Sequence, residues 1–197
     1  MIEGSPWGPF IGLYVVVFGL GHLWVWLVNP EVIKHRIFPG KGVETWDWVW
    51  AGVFMPAVSA ILVVAGYDIH NGWAPLPTWV WPIGVVLFVL GGGLFLRAMA
   101  ENPFFEKTVR IQSERGHHVI DTGPYRKVRH PGYVGLFAWI LSIPLLLTST
   151  WALLPTALAM ISLLVRTVLE DRMLHRKLPG YAEYAAHVRS RLVPGVW

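Results

Sequence analysis

The sequence predicts an all-α integral membrane protein with five transmembrane helices, and the amount and distribution of its apolar residues are the basis of that prediction. Of 197 residues, 54% are hydrophobic, and the mean hydropathy is +0.50, which is more apolar side chain than a soluble domain of this size can bury. Only 14% of the residues are charged. They are clustered between runs of about 17 to 23 nearly uncharged residues, a length at which a helix crosses the hydrocarbon core of a bilayer.

The first three membrane helices are predicted over residues 8–28, 46–66 and 76–98. The first two carry tryptophans near their ends, where the membrane interface favours this residue. The opening "MIEGSPWGPF" has neither the positive region nor the small-residue cleavage site of a signal peptide, so we expect the first helix to be retained. The "GGG" at residues 91–93 would let the third helix approach a neighbouring helix closely.

Two shorter apolar runs form the fourth and fifth predicted helices. They occupy residues 132–147 and 151–165, after the longest polar stretch of the chain at residues 101–130. Only "TST" at residues 148–150 joins the two runs, so we expect a tight helical hairpin. A short terminal helix follows, on which Tyr181 and Tyr184 share one side and are expected to dock onto the bundle.

The positions of the sixteen Lys and Arg residues predict the orientation of the helices. All of them lie in the connection after the first helix, between Arg97 and Arg129, or from Arg166 onward. By the positive-inside rule, the N-terminus is then outside, and the polar loop and the C-terminus are in the cytoplasm. We expect a single membrane domain over residues 1–197, with a three-helix part at about 1–98 and the loop, hairpin and C-terminal helix at about 99–197.

Composition also argues against several classes of function. The net charge of +4 does not indicate nucleic-acid binding, because the cations, Arg110 among them, adjoin apolar runs where they anchor the chain at a membrane surface. The absence of cysteine excludes a disulfide framework and a cysteine nucleophile. His117 and His118 resemble half of a metal site, but no third ligand has a suitable spacing, so we predict no metal. We expect His22, inside the first helix, to hydrogen-bond to another helix.

The segment "TGPYRKVRHPGYVG" at residues 122–135 is unusual beside a membrane helix. Pro124 and Pro131 each remove a backbone donor and restrict the preceding residue, so the segment is predicted to be an irregular, cationic entry to the fourth helix. Backbone donors, a helix N-terminus and positive charge together suit an anionic group. Tyr125 or Tyr133 suits a flat base or an onium cation.

Three segments in order resemble the isoprenylcysteine carboxyl methyltransferase family, whose relatives include membrane phospholipid methyltransferases. They are "RIQSERGHHVIDTGPYRKVRHPGYVG" at residues 110–135, "RTVLEDRML" at 166–174 and "LPGYAEYAAHVRSRLVP" at 178–194. The resemblance covers about half of the chain, from Arg97 onward. It implies that the ligand of the polar loop is S-adenosyl-L-methionine, which carries an adenine, a carboxylate and a sulfonium.

The resemblance also implies site residues. Glu170 would meet the amino group or ribose of the cofactor, Arg166 would face the acceptor, and Arg97 occupies the place of a family arginine near the acceptor. Arg97 and Arg166 are therefore the predicted catalytic residues. The predicted cofactor-binding residues are Gln112, His117, His118, Val119, Ile120, Tyr125, His130, Pro131, Gly132, Tyr133 and Glu170. Where the family usually has two consecutive glutamates, this chain has Glu170 and Asp171, so the role of the second position is open.

The spacing of Arg166 and Glu170 places them on one face of a helix, where they can pair across a turn. Methyl transfer to a carboxylate requires no base, since that acceptor is already ionised at neutral pH and an arginine can orient it. An amine or thiol acceptor would instead require Glu170 or a histidine to take its proton. These alternatives remain open from the sequence.

The function predicted on this basis is methyl transfer from S-adenosyl-L-methionine to a lipophilic, membrane-borne acceptor, an isoprenylcysteine carboxylate or another small hydrophobic molecule. The cofactor would arrive from the cytoplasm and the acceptor from the lipid. The predicted partners are thus the acceptor and membrane lipids, without nucleic acid or metal. Two alternatives are an NADPH-dependent membrane enzyme resembling the sterol reductases and a non-catalytic lipid-binding membrane subunit.

Overall fold

The computed structural model describes residues 6–37 and 40–197, which form seven helices and no strand. The first five residues of the N-terminal stretch "MIEGSPWGPF", on which the signal-peptide prediction rests, therefore lie outside the described residues. The helices, numbered in chain order, are α1 (Trp7–Val28), α2 (Pro30–Ile37), α3 (Thr45–Asn71), α4 (Trp81–Glu101), α5 (Pro131–Leu146), α6 (Leu153–Lys177) and α7 (Tyr181–His187). The all-α prediction is confirmed for this part of the chain.

Four of these helices are long and apolar enough to cross a membrane. They are α1, α3, α6 and α4 together with the 3-10 turn Thr78–Val80 that precedes it. Helix α5 is apolar but has only 16 residues, a length of about 24 Å against a hydrocarbon core of about 30 Å. The described part of the chain thus has the apolar helices of a multi-pass membrane protein, whereas a fifth span and the orientation remain predictions.

Helices α4 and α5 are in close contact through two glycines. A Cβ added to Gly91 would lie 2.7 Å from the carbonyl oxygen of Gly135, and a Cβ added to Gly135 would lie 2.5 Å from the carbonyl oxygen of Gly91. A Cβ added to Gly92 would meet Val17 of α1 at 2.9 Å, but Gly93 faces open space. Two of the three glycines therefore permit the close helix packing that was predicted for this motif.

The apolar core joins helices from both predicted parts of the chain. Phe18 of α1, Ile61 of α3, Phe88 of α4, Ile140 of α5 and Leu163 of α6 are all buried in one cluster. His22 lies beside this cluster on α1, and its Nδ1 is 2.7 Å from the carbonyl oxygen of Phe18 in the same helix. The prediction that His22 bonds to another helix is wrong, because a histidine can satisfy its ring nitrogen on the carbonyl one turn earlier.

At one end of the bundle, the buried Asp68 of α3 connects two chain reversals. Its carboxylate accepts hydrogen bonds from the Ser149 hydroxyl at 2.6 Å and from the backbone nitrogen of Ala74 at 2.8 Å. Ser149 belongs to the short turn between α5 and α6, which confirms the predicted hairpin. Since α3 ends here while α4 and α6 begin here, the polar loop lies at the opposite end.

At that opposite end, the loop between α4 and α5 lies across the start of α3 and the last turns of α6. The backbone nitrogen of Val109 donates to Asp47 Oδ2 at 2.8 Å, and Glu44 N donates to the carbonyl oxygen of Val109 at 3.0 Å. Lys177 of α6 forms an ion pair with Glu44. The loop therefore closes over the helix ends instead of extending away from them.

Candidate functional site

A cavity of about 420 Å³ lies between the polar loop and the helix ends, within the range of small-molecule sites. Its wall combines two kinds of surface. The membrane helices contribute mainly apolar side chains, and the loop, α7 and the end of α6 contribute most of the polar ones. The apolar part includes Trp50, Phe54 and Met55 of α3, Phe95 of α4, and Leu136 and Trp139 of α5.

Most of the predicted cofactor-binding residues line this cavity. Nine of the eleven do so, and they are His117, His118, Val119, Ile120, Tyr125, His130, Gly132, Tyr133 and Glu170. Gln112 and Pro131 are buried next to the cavity but are not part of its wall. Of the two predicted catalytic residues, Arg166 lines the cavity and Arg97 does not.

Gln112 supports the wall segment that carries His117. Its Nε2 donates to the carbonyl oxygen of Phe104 at 2.8 Å, and its backbone nitrogen donates to His117 Nδ1 at 3.2 Å. The rings of Phe104 and His117 are stacked with their centroids 4.4 Å apart. Burial, together with the neighbouring charge of His118, lowers the pKa of His117 to about 4. His117 is therefore a neutral ring at neutral pH, suited to stacking and hydrogen bonding.

The predicted irregular entry to α5 is confirmed. Residues Gly123–Arg126 form a single 3-10 turn, and α5 begins at Pro131. Tyr125 is buried, and its hydroxyl donates to the carbonyl oxygen of Ala98 at 3.3 Å. Burial raises the pKa of Tyr125 well above its ordinary value, so the hydroxyl stays protonated. The Tyr125 carbonyl oxygen accepts a hydrogen bond from the Tyr184 hydroxyl at 2.7 Å, which attaches α7 to the entry segment.

Asp171, which the sequence left without a role, joins the three motifs. Its carboxylate accepts hydrogen bonds from Arg129 Nε at 2.8 Å, from the Tyr181 hydroxyl at 2.9 Å and from Arg191 Nε at 2.8 Å. The ring Nε2 of His130 is 3.4 Å from the same carboxylate. Burial opposes the charge of Arg129, but its hydrogen bond to Asp171 raises the arginine pKa above the ordinary value. The sequence signal was its place directly after Glu170, where the resembled family usually has a second glutamate.

The predicted docking of α7 is confirmed by this cluster. Tyr181 and Tyr184 are buried against Leu178, and both tyrosines line the cavity. The chain beyond α7 is also attached to the entry segment, because the backbone nitrogens of Arg129 and His130 each donate at 3.0 Å, to the carbonyl oxygens of Ser190 and Arg191.

Glu170 points into the cavity from α6. Its Oε2 accepts a hydrogen bond from the Tyr133 hydroxyl, and the Tyr133 ring lies parallel to the ring of His130, with centroids 5.6 Å apart. Tyr125, His130 and Glu170 thus surround one cavity, as a shared binding site requires.

Arg166 has a different partner from the one predicted. Its Nε is 3.0 Å from Asp47 Oδ1, and its NH2 group donates to the carbonyl oxygen of Lys107 at 2.7 Å. The guanidinium lies 3.9 Å from the centre of the Trp50 ring. The expected pairing with Glu170 is wrong, because Asp47 of α3 is the closer carboxylate. A lone aspartate at the start of a long apolar helix, in "TWDW", was the available signal.

Two other arginines also differ in position from expectation. Arg97 is more than half exposed, and its NH2 group is 3.1 Å from Glu101 Oε2 on the same helix. Its side chain does not line the cavity, so its place near the acceptor stays a prediction. Arg110 was expected to be an interfacial anchor, but it is buried in ion pairs with Glu106 at 2.8 Å and Glu114 at 2.7 Å. The hydrogen bonds that Arg110 donates to these carboxylates, with the bond to Glu106 as the larger cause, raise the pKa of Arg110.

Among the described residues, no group of three or more His, Asp or Glu side chains is arranged to hold a metal ion.

Comparisons with known proteins agree with the motifs. Residues 84–176 match the profile of the isoprenylcysteine carboxyl methyltransferase (ICMT) family. A protein-S-isoprenylcysteine O-methyltransferase from Xenopus laevis is 28% identical over 207 residues, covering 97% of this chain and 66% of the relative. A probable protein-S-isoprenylcysteine O-methyltransferase from Oryza sativa subsp. indica is 27% identical over 113 residues, covering 56% of this chain and 59% of the relative. The chain therefore spans less than two thirds of the length of these relatives.

Proposed function

Because residues 84–176 match the profile of the isoprenylcysteine carboxyl methyltransferase family, we propose that the chain is a membrane enzyme that transfers a methyl group from S-adenosyl-L-methionine to the carboxylate of a lipophilic acceptor such as a prenylated cysteine. One observation carries the proposal. Side chains from all three motifs, at residues 110–135, 166–174 and 178–194, line one cavity that also has an apolar wall formed by membrane helices.

The polar part of the cavity fits the proposed cofactor. Glu170 is the carboxylate on this wall that has no Lys or Arg within ion-pair distance in the described structure, so it suits an ammonium group. The neutral ring of His117 and the aromatic rings of Tyr125 and Tyr133 suit a flat base and a sulfonium. When bound, S-adenosyl-L-methionine supplies a methyl group on a positively charged sulfur, which a carboxylate oxygen can accept without first losing a proton.

The protein side chains then act by positioning and by exclusion of water. Tyr181 and Tyr184 of α7 cover the polar side of the cavity, held there by Asp171 and by the backbone of Tyr125. Positioning of this kind is worth several kcal/mol of a reaction barrier. We assign no proton transfer to Glu170, because a carboxylate acceptor has no proton to remove and Glu170 already accepts a hydrogen bond from Tyr133.

The apolar wall suits the hydrocarbon chain of the acceptor. Trp50, Phe54 and Met55 of α3 lie on this wall with Trp139 of α5, and Met55 is also 58% exposed on the outer surface of the bundle. Arg166 lies at the boundary between the two parts of the cavity, stacked on Trp50 and 5.7 Å from the centre of the Tyr133 ring. A greasy tail entering from the lipid would bring its polar end to this boundary.

The charge distribution supports a cytoplasmic cavity and a fifth span. The Lys and Arg residues lie in the three clusters that contain Lys34, Arg110 and Arg176, and each cluster lies at the end of the bundle with the cavity. By the positive-inside rule this end faces the cytoplasm. In that arrangement α5 and α6 would cross the membrane as a hairpin, with α5 beginning at the cavity.

The experiment uses the purified full chain in detergent. Calorimetry should show binding of S-adenosylhomocysteine that is weakened at least tenfold in Glu170→Ala and His130→Ala. With labelled S-adenosyl-L-methionine and N-acetyl-S-farnesylcysteine, the product should release its label as methanol in mild base, as a methyl ester does and a methylated amine or thiol does not.

Three results would count against the proposal. Binding of NADPH in place of S-adenosylhomocysteine would indicate the reductase alternative. Binding of neither nucleotide, with retention of the farnesylated probe, would indicate a non-catalytic lipid-binding subunit. A base-stable product would show that the acceptor atom is not a carboxylate oxygen.

A further inference from the structure

The arginines of the cavity wall differ in whether their charge is already neutralised. Arg110 is paired with Glu106, Arg129 with Asp171, and Arg166 with Asp47, at distances between 2.8 and 3.0 Å. Arg36 of α2 is the exception among the described arginines of this wall. No Asp or Glu of the described chain is within ion-pair distance of its guanidinium.

Arg36 is held by aromatic rings instead of by a carboxylate. Its guanidinium carbon lies 5.6 Å from the centre of the Phe95 ring and 5.3 Å from that of Phe105. Its NH1 group donates a long hydrogen bond of 3.4 Å to the carbonyl oxygen of Phe105. Ring faces orient a guanidinium but leave most of its N–H groups without strong acceptors. An anion in the cavity would supply those acceptors.

The position of Arg36 indicates which anion this is. Burial and then the positive charge of Arg166 lower the pKa of Arg36 to about 10, and Tyr133 opposes the effect. Arg36 is thus near enough to Arg166 and Tyr133 to feel their charges. Its guanidinium also lies against the ring of Phe95, where the apolar wall of the cavity meets the polar wall. His117 and Tyr181, on the proposed cofactor side, belong to the polar loop and α7.

We propose that Arg36 binds the carboxylate of the acceptor, while Arg166, neutralised by Asp47, shapes the surrounding wall. The proposal rests on the proposed function and assigns its acceptor-binding cation to a short helix outside all three motifs. A guanidinium without a counter-ion in a partly desolvated cavity gains a charge-assisted, bidentate contact when a carboxylate binds. An arginine already paired with an aspartate gains less.

The carboxylate could belong to either ligand, because S-adenosyl-L-methionine carries one as well. The experiment therefore measures the two ligands separately by calorimetry. Binding of N-acetyl-S-farnesylcysteine and of its uncharged carboxamide is measured without cofactor, and binding of S-adenosylhomocysteine is measured without acceptor. The proteins are the wild type, Arg36→Gln, Arg36→Lys and the control Arg176→Gln. Arg176 is an exposed arginine at the same end of the bundle and is absent from the cavity wall.

The wild type should bind the carboxylate about 10- to 100-fold more tightly than the carboxamide. Arg36→Gln should abolish this preference and leave S-adenosylhomocysteine binding unchanged, which also shows that the variant is folded. Arg36→Lys should retain part of the preference, since the charge remains but the planar fork is lost. Arg176→Gln should behave like the wild type.

Three results would overturn the assignment of Arg36. The first is a preference for the carboxylate over the carboxamide that survives in Arg36→Gln, and the second is an equal loss of this preference in Arg176→Gln. The third is an Arg36→Gln variant that binds S-adenosylhomocysteine more weakly but keeps the preference, which would assign Arg36 to the cofactor carboxylate. Failure of the proposed methyl transfer would be seen separately, as a wild type that prefers the carboxylate but neither binds S-adenosylhomocysteine nor forms a methyl ester.

Discussion

The guanidinium of Arg166 lies 3.9 Å from the centre of the Trp50 ring, which connects the last turns of α6 to the first turns of α3. The same two helices are joined by the ion pair of Arg166 with Asp47 and by the hydrogen bond from Trp50 Nε1 to the carbonyl oxygen of Ser162 at 3.0 Å. Both charged side chains are more than 90% buried. One wall of the cavity therefore depends on a buried ion pair between distant parts of the chain.

Removing one partner of this ion pair should destabilise the fold strongly. We expect Asp47→Ala to lower the free energy of unfolding by about 3 to 5 kcal/mol, because a buried arginine charge is left without its counter-ion. The double variant Asp47→Ala, Arg166→Leu should lose clearly less than the sum of the two single variants. Denaturation in detergent measures all three.

The matched control is Lys177→Gln, which breaks an exposed ion pair with Glu44 at the same end of α6. We expect a loss below about 1 kcal/mol for this exposed pair. Strictly additive losses of unfolding free energy in Asp47→Ala and Arg166→Leu would contradict an energetic coupling between these two residues.

The carboxylate of Asp171 should determine whether α7 stays docked. Asp171→Asn removes the charge that Arg129, Tyr181 and Arg191 share, and we expect faster trypsin cleavage after Arg189 and Arg191. Affinity for S-adenosylhomocysteine should fall about tenfold or more, because Tyr181 and Tyr184 leave the cavity wall. Tyr181→Phe, which removes one hydrogen bond, should lower the free energy of unfolding by only about 1 kcal/mol. Unchanged cleavage in Asp171→Asn would show that apolar packing alone holds α7.

The glycine contact between α4 and α5 predicts a position-specific effect of alanine. Gly135→Ala would place a Cβ 2.5 Å from the carbonyl oxygen of Gly91 and 2.6 Å from Phe95 N, both backbone atoms. We expect a loss of about 1 to 3 kcal/mol from this overpacking. Gly93→Ala, two residues after Gly91 on α4 but facing open space, should be neutral or slightly stabilising, since alanine favours helix more than glycine does. Thermal unfolding of both variants in one detergent tests the contrast, and similar midpoints would be evidence against the close approach.

The low pKa of His117 predicts an acid-sensitive loop. The folded-state pKa of about 4 is below the ordinary value of 6.5, so between these values the unfolded chain binds more protons than the folded one. The contribution of His117 to stability is therefore constant above about pH 6.5 and is lost as the pH falls toward 4.

Melting temperatures measured from pH 7 to pH 4.5 test this expectation. His117→Asn, whose side-chain oxygen can accept from the backbone nitrogen of Gln112, should lose less stability over this range than the wild type. The control is His187, an exposed histidine of α7 that is absent from the cavity wall, and His187→Asn should keep the profile of the wild type. Parallel melting-temperature profiles for the wild type and His117→Asn would show that protonation of the His117 ring does not destabilise the fold.

The predicted helices agree well with the structure because the signals behind them are local. Apolar runs indicated α1, α3, α4 and the two hairpin helices, and Pro124 with Pro131 indicated the irregular entry to α5. The apolar run of α6 ends at residue 165, but the helix, on which Arg166 and Glu170 were predicted to share one face, continues to Lys177. Hydropathy marks the apolar part of such a helix, but α6 continues beyond it, where its charged residues form the cavity.

The site was predicted less evenly than the fold. The family resemblance identified nine residues of the cavity wall and also Arg166, because those residues are grouped in short motifs. It missed Arg36 and Asp47, which lie outside the three motifs. It also missed the role of Asp171, because a motif does not show which side chains its aspartate will contact. Arg97 was predicted because it occupies the place of a family arginine near the acceptor, but its side chain forms an ion pair with Glu101.

What the sequence by itself determined is the set of apolar helices, the cationic segments between them and the family that its motifs resemble, because hydropathy, proline and motif spacing act over a few residues. The tertiary structure alone decided which charges meet. Asp47 pairs with Arg166 across 119 residues of chain, and Arg36 lines the cavity without a counter-ion among the described residues. Such pairings depend on which helix ends converge, and that depends on long-range packing such as the contact of Gly91 with Gly135.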